Sequence, residues 1–357
     1  MNDLFSMAQE ESYPRFLPND LLKFCEECFV KVGVPREYAQ LIADHLVTAN
    51  LRGVDSHGVI RIPYYIEGLK KGYVKPKAEI KILKESPHSA LLDGGDLLGI
   101  VPAMKATELV IEKAKSAGLA IVGVKRLGHV GMLAYYTRKI AEEKLIGFAC
   151  ANCPPRVAPW GGAGRVFGTN PFSVGLPAGN RNPIIIDMAT SATAAFKIQL
   201  SLKQGKKLPP GIALDKNGKP TTDPKEAVKG VLLPFGGHKG YAIALLVEIL
   251  SSAFIGGLRS SETIDHASTQ GGFLVAAIDP TLFREYDEYV QDLEEIISEV
   301  KGCKRMEGVS EVLLPGEIED RTYSTRLREG IPIDPETLKS LEEVGKRLGV
   351  PFPSRIA

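Results

Sequence analysis

The chain has no long apolar run, no block of like charge, few cysteines and a single tryptophan. No stretch approaches the ~18 consecutive apolar residues of a membrane-spanning helix, so no membrane partner is expected. The opening residues, MNDLFSMAQEESYPRF, show neither the basic nor the apolar region of a secretory signal, and the expectation is a cytoplasmic protein. Lys plus Arg number 44 and Asp plus Glu 43, a formal charge of +1, so nothing asks for nucleic acid. At 44% hydrophobic and 24% charged residues over 357 positions, the chain can build a substantial core and two domains.

The five cysteines are Cys25, Cys28, Cys150, Cys153 and Cys303. An odd count without a signal fits a reducing compartment. The first four form two C-x-x-C pairs, the raw material of a zinc site. The first pair, however, lies in LLKFCEECFVKV, an amphipathic helical run without the glycine of a zinc knuckle. Buried apolar thiols and no metal are the preferred reading, and a zinc-binding interaction protein is the rival. A dinucleotide-binding Rossmann unit would need G-x-G-x-x-G between a strand and a helix. GGAGRVFG has roughly that spacing, but prolines precede it and a strand-like run follows.

What is present reads as an α/β layer with helices added. Helices are predicted over Asn19–Val32, Arg36–Leu51 and Ile60–Lys70. Strands and helices then alternate: strand Ser89–Asp93, helix Pro102–Gly118, the strand LAIVGV, helix Leu133–Lys144 and strand Ile146–Ala151. LAIVGV is apolar throughout and fits a sheet covered on both faces. Further strands are predicted at Phe172–Leu176, Ile184–Asp187, Phe273–Ile278 and Val312–Leu314. Helices are predicted at Ala192–Gln204, Tyr286–Lys301 and Pro335–Leu348, with a polar excursion at Leu208–Lys229. Gly240–Ile255 is apolar on almost every face and is expected to be deeply buried.

Five stretches carry chemistry. LRGVDSHGVIRIPYY places Arg52, Asp55, Ser56, His57, Arg61, Tyr64 and Tyr65 around two glycines, more hydrogen-bonding groups than a helix junction needs. A capped helix end with surface arginines is the plainer alternative. RLGHVGM sets His129 just past the LAIVGV strand, where open α/β sheets bind ligands. An imidazole with a pKa near 6.5 suits proton transfer there; capping the next helix is the alternative. GTNPF and DMATS bring polar groups to strand edges, and Thr190, Ser191 and Thr193 are expected to open a helix that offers free N–H groups to a phosphate or ribose, or merely to cap it. FGGHKGYAIALL repeats the theme, with Gly236 and Gly237 before His238 and Lys239; a plain tight turn is its alternative. His45, His88 and His266 have no comparable context.

Set side by side, these stretches, with VAPWGGAGRVFGTNP and LPGEIEDR, resemble the malate/L-lactate dehydrogenase family that is distinct from the classical lactate and malate dehydrogenases. Its relatives include ureidoglycolate, sulfolactate and diketogulonate reductases and cyclic-imine reductases, and the resemblance covers nearly the whole chain. It implies a dehydrogenase that uses NAD or NADP without a Rossmann fold, on a small 2-oxo or 2-hydroxy acid, with malate or lactate leading. It implies a non-Rossmann α/β fold, a mixed sheet of about seven strands with a discontinuous helical domain, in a homodimer. The divisions expected are 1–85 helical, 86–190 α/β, 191–265 helical, 266–317 α/β and 318–357 helical.

The resemblance makes His129 the proton carrier, places His57 and Ser56 at the pocket wall, and has Arg61 clamp the substrate carboxylate with Tyr65 beside it. It places the cofactor against Asp187, Met188 and Ala189, against His238, Lys239 and Gly240, and against Pro315, Gly316 and Glu317, with Thr169 and Asn170 nearby. Cys153 stands near the substrate where many relatives carry serine, and the segment between Val228 and His238 is shorter than in some. Independently of the resemblance, a 2-oxo acid needs a bidentate cation, for which Arg52 and Arg61 are candidates, and a proton source at its carbonyl. NADH and NADPH are not distinguished.

Overall fold

The computed structural model describes residues 12–194, 197–198, 201–202 and 205–356. The chain opens with β1 (Arg15–Phe16) and three helices, α1 (Pro18–Lys31), α2 (Arg36–Leu51) and α3 (Ile62–Lys70), with short 3-10 turns at Asp55–His57 and Val59–Arg61. Next come β2 (Lys81–Ser86), β3 (Ser89–Leu97), α4 (Ile100–Ala117), β4 (Leu119–Leu127), α5 (Ala134–Glu142), β5 (Ile146–Asn152), β6 (Phe172–Leu176) and β7 (Ile184–Met188). Later elements are β8 (Ala213–Leu214), α6 (Pro224–Lys229), β9 (Val231–Leu232), α7 (His238–Ser251), β10 (Gly272–Ile278), α8 (Tyr286–Gly302), α9 (Glu317–Glu329), β11 (Ile331–Pro332) and α10 (Pro335–Leu348).

Helix formation follows the sequence closely. In α1, Leu21, Phe24, Cys25, Cys28 and Phe29 recur at helical spacing and are all buried, with Pro18 opening the first turn. Burying a leucine or phenylalanine side chain contributes about 1.5–3 kcal/mol, which fixes which face turns inward. In α10 the Asp334 carboxylate accepts from the N–H groups of Glu336 and Thr337, Leu338, Leu341 and Val344 are buried, and Gly349 ends the helix at φ +68°. These helices, with β11, close one apolar cluster that includes Phe16, Ile42, Leu46, Tyr65 and Leu341.

The large sheet runs β2-β3-β4-β10-β5-β6-β7. Only β3 and β4 are parallel, joined by α4; β10 enters between β4 and β5, antiparallel to both. This is a seven-stranded mixed sheet, with no run of parallel strands to make a Rossmann unit. Helices α4 and α5 pack with the buried side chains of β4 and β5 in one cluster, while Val247 of α7 and Ile255 beyond it meet Cys150 and Leu274 in another.

Several expectations need correction. Val312–Leu314 is not a strand; that stretch lies beside β7, with the Ile185 N–H donating to the carbonyl of the adjoining Pro315 at 3.3 Å. Residues 192–194 are not helical, so Thr190 and Ser191 do not open a helix; Ser191 bridges Pro234, and part of the helix expected to Gln204 falls outside the described residues. The helix after Lys239 is not deeply buried on all sides. Leu246 is 53% and Ile249 47% exposed, and Phe254 beyond the helix is 63% exposed. Hydropathy reports an aversion to water and cannot say whether the chain's own core supplies the cover.

Candidate active site

The loop after β4 is fixed from both sides. The Gly128 N–H donates to the Leu97 carbonyl at 2.7 Å, and the His129 N–H to the Ser268 carbonyl at 2.9 Å. Backbones approach so closely here that a Cβ on Gly99 would lie 1.9 Å from the Gly128 carbonyl oxygen. His45, without a role in the sequence reading, packs underneath: its Nε2 accepts from the Met132 N–H at 3.1 Å, and burial lowers its pKa to about 4. It is structural.

On this support His129 is half-buried, and its Nδ1 lies 2.7 Å from the hydroxyl of Tyr65. Tyr65 is fully buried, and that burial pushes its pKa up, so the phenol stays protonated. The resemblance implies Tyr65 beside Arg61 at the substrate; in the structure its hydroxyl meets the histidine ring. The His57 ring stacks on the His129 ring at 5.6 Å between centroids and 19° between planes. Ser56 Oγ is 2.9 Å from His57 Nδ1, and Arg61 Nε donates to the Ser56 carbonyl at 2.6 Å.

Among the described residues, Arg61 meets no carboxylate. Loss of solvation lowers its pKa, and the neighbouring Arg156 guanidinium acts in the same direction. His57 is pushed down to about 3 and His129 also well down, in both cases first by the surrounding protein and next by Arg61. Both imidazoles are therefore neutral at pH 7. Arg52, the other candidate cation, is 4% exposed and bound to Asp320 at 2.7 Å, an aspartate that Arg138 also holds at 2.9 Å. It is part of the scaffold.

The pocket wall past β5 centres on Glu248, which sequence reasoning missed. Its carboxylate accepts from Asn170 Nδ2 (2.8 Å), Asn152 Nδ2 (3.2 Å), the Ser260 N–H (2.7 Å) and Ser260 Oγ (2.6 Å). One signal was available: it is the only acidic residue of α7, in an otherwise apolar run. Asn170, expected at the cofactor, is fully buried and spent on Glu248, on the Ala244 carbonyl and on the Cys153 N–H. The Cys153 thiol accepts from Gln270 Nε2 at 3.4 Å and stands 3.7 Å from Thr169 Oγ1; burial raises its pKa, so it remains a thiol.

The stretches expected at a cofactor converge in part. Asp187 is the penultimate residue of β7, and its Oδ2 accepts from the Ala134 N–H at 2.9 Å. Protein around the carboxylate pushes its pKa up to about 6, although more than a third of the residue is open to solvent. The Phe235 N–H donates to the Thr190 carbonyl at 3.0 Å, so the DMATS stretch adjoins the glycine turn before α7. Gly236 and Gly237 have φ of +54° and +65°, a Cβ on Gly240 would meet the Phe235 carbonyl oxygen at 2.0 Å, and His238 and Lys239 are exposed at the helix start. Met188 is exposed and Ala189 half-buried beside them.

On the far side of β7, Gly316 has φ +92°, and Glu317 turns to Lys301 Nζ at 2.7 Å and the Leu314 N–H at 3.0 Å. Pro315 and Glu317 border a hollow of about 340 Å³ with Ile184, Leu314 and Asp320. A larger hollow of about 600 Å³, between Lys301–Arg305 and Ser310–Val312, contains none of the predicted site residues. It is open to solvent, and four of its eight lining residues are charged.

The cysteine pairs build no metal centre. Cys25 and Cys28 lie in the helical cluster and Cys150 in the sheet, all buried with raised thiol pKa values. Among the described residues no group of three or more His, Cys, Asp or Glu side chains is placed to hold a metal ion, and the zinc reading is not supported.

His129 thus stands just past a strand end with one ring nitrogen held, and Arg61 nearby meets no carboxylate among the described residues. The sequence profile of the malate/L-lactate dehydrogenase family matches residues 16–342. The malate/(S)-sulfolactate dehydrogenase of Methanothermus fervidus is 40% identical over 324 residues, 89% of this chain and 94% of that protein. The solved sulfolactate dehydrogenase of Methanocaldococcus jannaschii superposes with a TM-score of 0.88 at 39% identity, covering 95% of this chain and 98% of that one. The solved delta1-piperideine-2-carboxylate reductase of Pseudomonas syringae gives a TM-score of 0.84 at 31% identity, covering 92% and 99%. The chain belongs to the malate/L-lactate dehydrogenase family and is an oxidoreductase.

Proposed function

We propose that the chain interconverts a 2-hydroxy acid and its 2-oxo acid with NAD or NADP, malate or lactate being the leading substrates. Sulfolactate, ureidoglycolate and cyclic-imine acids are the alternatives on the same scaffold. The observation that carries this reading is the Arg61 guanidinium, which meets no carboxylate among the described residues and lies close enough to depress both His57 and His129, whose rings stack at 5.6 Å. Arg61 holds the substrate carboxylate through two parallel N–H bonds, which an ammonium cannot reproduce. Tyr65 occupies Nδ1 of His129 and leaves Nε2 to give a proton to the carbonyl oxygen or to take it from the hydroxyl. His57 and Ser56 form the adjoining wall, with Cys153 opposite.

The residues present fit a nicotinamide dinucleotide. A phosphate suits the α7 N-terminus, where Gly236 has open space around it and Lys239 adds charge. Asp187, Met188, Ala189 and Thr169 line the adjoining stretch, and Pro315 and Gly316 lie across β7. The bound dinucleotide supplies or accepts the hydride. Binding the substrate anion offsets the Arg61 charge that depresses His129, so proton uptake accompanies substrate binding.

A discontinuous helical domain around a sheet domain, and a homodimer, belong to the same proposal. The exposed apolar face of Leu246, Ile249 and Phe254 supports the dimer. Light scattering at micromolar concentration is expected to give twice the 38.7 kDa chain mass, and a monomer would contradict it.

The direct test is a screen of NADH and NADPH oxidation with oxaloacetate, pyruvate, sulfopyruvate, ureidoglycolate-type acids and cyclic imines. Turnover of a 2-oxo acid supports the reading. Turnover of none of them, with no binding of either nucleotide, defeats it.

A further inference from the structure

The loop that carries Ser56, His57 and Arg61 is tied to a helix far away in sequence. Arg326, on the last turn of α9, is 4% exposed. Its Nη1 donates to Asp55 Oδ1 at 2.7 Å and its Nη2 to Asp55 Oδ2 at 3.0 Å, a fork-to-fork pair across 271 positions. Nη1 also donates to the Asn50 carbonyl. Asn50 completes the arrangement: its Nδ2 donates to Asp55 Oδ1, and its Oδ1 accepts from the Val59 N–H at 2.8 Å. Gly58 packs against it so tightly that a Cβ would lie 2.1 Å from Asn50 Oδ1. The turn from Asp55 to Val59 is thus clamped at both ends, and Arg61 Nε closes it by donating to the Ser56 carbonyl at 2.6 Å.

We propose that Arg326, Asp55 and Asn50 are positioning residues for substrate binding, setting the register of the 55–61 loop and with it the direction in which the Arg61 fork points. None of them is assigned to the substrate itself. The physical reason lies in the loop: residues 55–61 form only two isolated 3-10 turns, whose own backbone bonds are too few to fix a long side chain. A half-buried bidentate ion pair supplies the missing constraint, and a misplacement of about 1 Å at the reacting groups costs up to ~10²-fold in rate. The proposal rests on the 2-oxo acid reading, since it needs Arg61 to hold the substrate.

The test compares Asp55→Asn and Arg326→Lys with the unaltered chain on whichever 2-oxo acid it reduces. Asp55 is partly open to solvent, and Asp55→Asn loses the charge pair with almost no change of shape; circular dichroism checks that each variant is folded. Expected in both variants are a KM for the acid raised about 10–100-fold, kcat reduced less than about threefold, and nucleotide affinity, read by fluorescence titration without substrate, unchanged. In a double variant with Arg61→Ala, the loss from Asp55→Asn should disappear, because it acts through Arg61. An unmoved KM, losses that add to that of Arg61→Ala, or equal weakening of acid and nucleotide would overturn the proposal, as would both single variants failing to fold. An unaltered chain that reduces none of the acids defeats the functional reading and this proposal with it; an active chain with unmoved variants defeats this proposal alone.

Discussion

The Tyr65 hydroxyl lies 2.7 Å from Nδ1 of His129, and Tyr65 is fully buried beneath it. A phenol whose pKa is raised by burial stays protonated, and as both donor and acceptor it can partner Nδ1 whether or not the ring is charged. On the proposed reading the exchangeable proton would then sit on Nε2. Tyr65→Phe keeps the packing and removes that partner. Turnover should fall about 10-fold or more with nucleotide affinity unchanged, and stability should fall by about 1–3 kcal/mol where Nδ1 is left unpaired. Steady-state kinetics and denaturant titration check both; an unchanged kcat would separate Tyr65 from the proton path.

If His129 moves the proton, His129→Ala should lower turnover by about 10²–10⁴-fold while nucleotide binding persists. Nucleotide affinity lost together with normal turnover at saturation would contradict that assignment.

The pH dependence has a defined sign. In the free chain the His129 pKa lies below the ordinary histidine value, so oxidation of the hydroxy acid, which needs a neutral imidazole, should hold its kcat/KM as pH falls through about 6.5 and decline only below that. On the proposed reading the 2-oxo acid would offset the Arg61 charge and raise the His129 pKa in the complex. Binding of a non-reducible 2-oxo acid analogue should therefore take up protons and tighten as pH falls, as calorimetry in buffers of different ionisation enthalpy can show. Proton release on binding would exclude this linkage.

Arg61→Lys keeps a charge and loses the fork. It should weaken the acid and its transition state about 10-fold or more, with little change in nucleotide affinity. Equal kcat/KM in the variant and the parent would remove Arg61 from the carboxylate.

Glu248→Gln replaces an acceptor of four hydrogen bonds with a group that must also donate. A loss of about 2–4 kcal/mol in stability is expected, because Ser260 and Asn170 would face a mismatched amide. Thermal or denaturant unfolding measures it; an unchanged midpoint would show that the network relaxes freely.

The sequence alone determined the local elements and the chemical inventory. Arg36–Leu51, Phe172–Leu176 and Pro335–Leu348 form as read, because their apolar spacing, caps and glycines act within a few residues. The motifs named the histidine, the arginine and the glycine turns, since each needs a particular side chain or a positive φ at one position. Tertiary structure decided which of these groups are free. Arg52 and Arg61 sit in the same stretch, yet Asp320 of α9 takes the first and leaves the second open. Asn170 turned inward because α7 delivers Glu248 to it, and Tyr65 met His129 because α3 brings its hydroxyl to the loop after β4. Helix α7 read as core and emerged with an open apolar face, since hydropathy carries no information about which surface covers it. Pairings across 64, 78 and 271 positions depend on how the chain folds back on itself, which no local pattern encodes.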